Sequence, residues 1–249
     1  MASGIITNQK NIGSFRLVRI LFLAFSFQSL NISAQTDLSD SIVTARIQII
    51  EKMLEQGKPN ANLWWYGWLA GYSAATIGQG AVFFSTNDKA FKQDMAVGAA
   101  TTFLGALGQI VTPMVPGYAP DRLKMIKGNT IEERRQKLID AEELLKKSAL
   151  REKSGRSWQT HAIATAVNAG SGLITWLRFK RDVWAGLENF ALNSCITEAQ
   201  IWTQPTRAMR DYKNYCKKYK SGESTIALKP EPVWFVSGSP GGVQLKIIF

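Results

Sequence analysis

The chain has little of what chemistry usually needs. Its 249 residues include one histidine, His161, and two cysteines, Cys195 and Cys216. Two cysteines without histidine partners make no zinc site. In an oxidising compartment their separation permits a disulfide, and two unrelated thiols fit the spacing equally. There is no P-loop, no Gly-x-Ser-x-Gly elbow and no His-Glu-x-x-His motif. The Gly-rich "SGSPGG" near the end follows no strand–helix unit, so it reads as a turn rather than a phosphate cradle. Adjacent glutamates occur as Glu132/Glu133 and Glu142/Glu143, on a helix laced with Lys and Arg where pairing of Glu142 with Lys146 accounts for them. His161, at the start of an apolar helix, reads as a packed or interfacial residue. The expectation is a non-enzyme without cofactor or metal.

Charge of one sign is in excess: 30 Lys and Arg stand against 19 Asp and Glu, a net charge of +11. The basic residues form no arginine-rich or aromatic-interleaved tract and mostly share segments with acids, so nucleic acid is not an expected partner. With 45% hydrophobic and 20% charged residues the chain is not disordered.

The amino terminus carries Lys10, Arg16 and Arg19, then the apolar run "ILFLAFSFQSLNI" and Ser33-Ala34-Gln35. A positive start, a short apolar run and small residues predict an export signal over 1–35. Beyond it, two similar halves succeed one another. Residues 36–118 read as an amphipathic helix, with Ile42, Val43, Ile47, Ile50 and Leu54 at helical spacing and Gly57 as its stop, then an uncharged helical hairpin. Residues 119–210 repeat the plan: an amphipathic helix with the stripe Ile131, Leu138, Leu145 and a Thr130/Glu133 capping box, then a second apolar hairpin. Arg46 with Arg135, Trp65 with Trp158, Asp94 with Asp182, Gly98 with Gly186 and Pro113 with Pro205 share nearly one offset, which predicts an internal duplication. "GQIVTP" and "AQIWTQP" are then the same helix end, closed by proline.

Residues 211–249 are expected to be a basic, Tyr-rich helix tail running into solvent, then a β-hairpin-like end around Ser-Pro-Gly-Gly. The alternation of Val243, Leu245, Ile247 and Phe249 resembles the final strand of outer-membrane barrel proteins, but one hairpin closes no barrel. The predicted fold is therefore all-α: a duplicated unit, four apolar helices in a bundle and a short β-like tail.

Small residues and aromatics point to a membrane. Gly67 and Gly71 make a GxxxG step, Gly98, Gly105 and Gly186 are further packing candidates, and Trp64, Trp65, Tyr66 and Trp68 form a belt. Glu188 and Glu198 in the fourth apolar stretch, and the many Lys and Arg between the hairpins, oppose it. Glu188, Glu198, Gln109 and Gln200 are the candidate polar residues, either inside the membrane or between repeats. The glutamines read first as helix-boundary residues. The chain looks like exported envelope proteins of Gram-negative bacteria. It is expected to be a membrane-associated scaffold, with lipid and a protein partner or second copy as its partners. A small channel or transporter and a soluble periplasmic bundle are the alternatives.

Overall fold

The structure, a computed structural model, describes residues 39–220 with their side chains and the backbone of 233–239 and 242–248. The predicted export signal lies outside the described residues. Residues 39–220 are all-helical. The helices are α1 (Asp40–Ser85), α2 (Lys89–Val111), α3 (Val115–Met125), α4 (Ile131–Gly155), α5 (Trp158–Leu173), α6 (Val183–Thr203) and α7 (Arg207–Tyr219). A π-helical turn, Ile174–Arg178, prolongs α5. The strands β1 (Val233–Ser239) and β2 (Gly242–Ile248) pair antiparallel, Val233 opposite Ile248.

Two sets of helices share α1. Its first half packs with α3, α4 and α7 in the ordinary way, apolar residues inward: Val43, Ile50, Leu54, Leu123, Leu145 and Tyr215 are all buried. Its second half joins α2, α5 and α6, and there the polarity is reversed. Large apolar side chains stand outside, among them Phe84 (82% exposed), Ile77 (72%), Val111 (66%) and Ile163 (65%), while Thr102, Asn168, Ser171 and Thr175 are buried.

The expected stop at Gly57 is overturned. The helix runs through both Gly57 and Pro59 for 46 residues. Gly57 is buried where Pro116 of α3 crosses it, and Lys58–Asp121 and Glu55–Lys124 ion pairs, both 2.7 Å, fasten α3 across the same stretch. Tertiary contact on both sides of the proline outweighs the local break. The second half does break, at Ser157. The capping box is present as predicted, with Glu133 N–H donating to Thr130 Oγ1 at 3.2 Å. Of the predicted stripe, Leu138 and Leu145 are buried and Ile131 is exposed.

Asp88 and Asp182 cap α2 and α6, each accepting from the N–H three residues on. Asp182 thus matches Asp88 in position. Asp94 lies inside α2 and binds Arg181 at 2.8 Å. The segment from Arg207 is not a tail in solvent: α7 docks on α4 and buries Tyr215 and Cys216. Cys195 and Cys216 are both free.

The hairpins are spaced differently. A Cβ built on Gly172 would stand 2.6 Å from the Gly186 carbonyl oxygen, and one on Gly186 would stand 2.7 Å from that of Gly172. Backbone meets backbone, so neither helix can give way. Gly98 and Gly105 instead face the Gln79 amide and the Tyr72 ring, which hold α1 and α2 further apart. Gly67 and Gly71 are exposed, and a Cβ on either meets nothing within 4 Å. Gly186→Ala is therefore expected to lower unfolding stability by about 1–3 kcal/mol. Gly67→Ala and Gly71→Ala should leave it unchanged or raise it by up to about 1 kcal/mol. Thermal unfolding followed by circular dichroism separates the two behaviours.

Candidate functional site

Where the two helix sets meet, the chain forms a half-open cavity of about 670 Å³, within the range of small-molecule sites. The two echoed segments build much of its wall. Gln109 and Thr112 come from the end of α2, and Gln200 and Gln204 from the end of α6. Both ends close alike: Thr112 and Thr203 each return a hydroxyl to the carbonyl four residues back, at 2.6 Å. Trp64 of α1 and Ile163 of α5 supply apolar surface.

Arg151, near the end of α4, ties the echoes together. It donates to the carbonyls of Thr112 (2.8 Å) and Pro113 (3.2 Å) and to Oε1 of Gln204 (3.3 Å). Gln204 in turn donates to the Glu152 carbonyl at 2.7 Å. All of Arg151's acceptors are neutral, and among the described residues no carboxylate forms an ion pair with it. Burial pulls its pKa below the ordinary guanidinium value, against the attraction of neighbouring Glu152.

A second cavity of about 150 Å³ adjoins the first and shares Gly105, Ala164, Thr197 and Gln200 with it. Its polar residues belong to an uncharged network through the apolar set. Tyr72 donates to Gln200 Oε1 at 2.9 Å, Asn168 to Thr197 at 2.8 Å and Ser171 to Asn189 at 2.8 Å. Thr102 donates to Gln79 at 3.0 Å. No fully buried side-chain nitrogen or oxygen of this network lacks a partner, as burial requires.

Of the four polar candidates the structure brings two to the cavity. Gln109 is 2% exposed, its main-chain carbonyl accepts from Trp65 at 2.8 Å, and its side-chain Nε2 has no partner. Gln200 bridges α1 and α6 through Tyr72. Neither glutamine is only a boundary residue.

The other two do not share a site. Glu188 is exposed. Glu198 lies beside His161, with Nδ1 at 2.9 Å from both carboxylate oxygens, and accepts from Trp202 Nε1 at 3.0 Å. The 80° offset of these two glutamates along the helix separates them as much as it relates them. Nothing in the sequence singles out Arg151, Gln204, Tyr72, Asn168 or Asn193. One arginine among several in a helix of mixed charge and scattered amides in apolar stretches carry no local signal. Among the described residues no group of three His, Cys, Asp or Glu could hold a metal ion.

No protein-family model matches the chain, and no curated protein or solved structure matches it either. The site must be read from its own chemistry.

Proposed function

We propose that the protein is a membrane-embedded helical scaffold of the bacterial cell envelope, its apolar set inside the bilayer and its charged set at one surface. The observation that supports this is the reversed polarity of α2, α5, α6 and the second half of α1. The hydrophobic effect drives apolar side chains inward wherever water is the solvent. A bundle with Phe84 and Ile77 outside and Asn168 and Thr175 inside suits a hydrocarbon surround. Its lengths suit one too: 23 residues in α2 and 21 in α6 rise about 32–35 Å against a core of about 30 Å. Of the described helices only the stretch Lys89–Met125 is long and apolar enough by composition alone. Helix α5 has only 16 residues, and α6 carries Glu188 and Glu198 beside its inward amides.

Trp64 and Trp68 both donate to Thr203, and Trp202 donates to Glu198 one turn back on the same helix end, at the boundary between the two sets, which suits the level where such rings anchor at a membrane surface. The duplicated plan of amphipathic helix plus apolar hairpin, with boundaries near 118 and 210, belongs to this proposal, as does a β-like tail beyond 211. Carbonate extraction of separated inner and outer membranes tests the reading. Retention of the full chain in one pellet is the expected result, and release into the supernatant overturns it.

A second reading, a transporter framed by the two hairpins, draws on the contiguous cavities and the polar network behind them. Solute flux into proteoliposomes that is lost in Asn193→Leu supports it; absence of flux removes it.

A further inference from the structure

We infer that the 670 Å³ cavity binds an anionic amphiphile, its phosphate or carboxylate held by Arg151 and the Gln109 amide and its acyl chain laid along Trp64, Ile163 and Val111. The inference relies on the membrane reading for the source of the ligand and not for its chemistry.

Three observations converge on this chemistry. The first is an unmet donor: Gln109 is almost wholly buried, yet its Nε2 has no acceptor. A buried donor left unpaired is costly, and a turn of this cavity-lining amide about its last bond would offer it to an acceptor from outside the chain. The second is a guanidinium without an ion pair among the described residues. Arg151 spends its bonds on neutral oxygens, and the nearest carboxylate in sequence, Glu152, is turned to the Met209 N–H at 3.0 Å. A guanidinium with a planar fork suits a phosphate or carboxylate. The third is the wall itself. Val111 and Ile163 line the cavity and are also 66% and 65% exposed, so its apolar wall opens to the outside of the bundle. A free inorganic anion would leave that surface unused, and a neutral lipid would leave Arg151 unbalanced.

The test uses the full chain purified in dodecyl maltoside, with three probes: dioleoylphosphatidylglycerol, dioleoylphosphatidylcholine and oleate. Phosphatidylglycerol, oleate or both should raise the thermal midpoint by roughly 5–10 °C at about 100 times Kd, with phosphatidylcholine inert. A response to phosphatidylglycerol alone assigns a membrane phospholipid, and one to oleate alone assigns a free fatty acid.

Two variants locate the site. Gln109→Leu removes the unmet donor while keeping the main-chain carbonyl that Trp65 uses. It should raise the unliganded midpoint by roughly 2–4 °C and weaken the active probe about tenfold. Gly108→Leu projects into the cavity, where a Cβ meets nothing within 4 Å, and should abolish the response while the chain still folds. Equal shifts with phosphatidylcholine, no shift with any probe, or an unchanged response in both variants overturns the inference. Carbonate release together with a specific oleate response would remove the membrane reading and leave this one standing.

Discussion

Glu142→Ala is expected to be the most damaging single change in the charged set. Glu142 accepts from the Arg46 guanidinium and the Tyr215 hydroxyl through one oxygen and pairs with Lys220 at 2.9 Å through the other. Arg46 also donates to Tyr215 Oη at 2.8 Å and lies over the rings of Tyr215 and Tyr219. Burial works against the charge on Arg46, but its bonds to Tyr215 and Glu142 hold its pKa above the ordinary value. Burial and the Glu142 carboxylate together push the Tyr215 hydroxyl up. The cluster thus joins α1, α4 and α7 through groups that depend on one another.

Removing the carboxylate leaves Arg46, 9% exposed, without its counter-ion, at a cost of about 3–5 kcal/mol. Replacing both partners, Arg46→Met with Glu142→Leu, should cost much less than the two single changes added together, because no buried charge is left alone. Unfolding of the four proteins by denaturant in detergent measures the coupling. Additive losses would show that Glu142 acts independently of Arg46.

The second large effect is a pH dependence at Glu152. This carboxyl is 1% exposed and accepts from the Met209 N–H at 3.0 Å, at the start of α7. Burial raises its pKa to about 7 from 4.5, against the lowering by the Met209 and Ala208 N–H groups. The folded chain therefore holds this proton more tightly than the unfolded chain does. Its contribution is full below about pH 4.5 and is lost as pH rises through 7, a change of about 3 kcal/mol in all.

Glu152→Gln keeps an acceptor for the N–H and cannot ionise. Its unfolding free energy should track the wild type below pH 4.5 and exceed it above pH 7. The quantity to measure is the difference between the two proteins across that window, since other groups titrate in both. A difference that does not vary with pH would show that Glu152 titrates normally.

Individual residues mark how far the sequence could be read. The capping box at Thr130 and Glu133 was legible because both halves of the bond lie within four residues. The helix ends near Pro113 and Pro205 were legible because proline acts on its own turn. Of the residues at helical spacing, Val43, Ile47, Ile50 and Leu54 are buried and Ile42 is exposed. Gly57 misled, since the contacts that carry α1 past it come from Pro116, Asp121 and Lys124, some sixty residues away. Glu142 misled in the same way. Its expected partner Lys146 sits one turn along, but its actual partners come from α1, α7 and Lys220, while Glu143 takes the neighbouring Lys147.

The glycines divide on the same line. Gly67 and Gly71 have the spacing of a packing motif and face outward, whereas Gly172, outside that motif, touches Gly186 backbone to backbone. The site shows the limit most clearly. The echo of "QIVTP" in "QIWTQP" pointed to two equivalent helix ends. That the ends would meet in one cavity, with Arg151 across both and Gln109 left unpaired, had no local trace.

That residues 39–220 are helical, where several of the helices end and which faces are apolar follow from the amino acids alone, because period, caps and prolines act within a turn or two. Only the tertiary structure decided which apolar faces are covered, which glutamate is a buried counter-ion and which glutamine lacks a partner. Those outcomes depend on what arrives from a distant part of the chain, and no short-range pattern encodes the arrival.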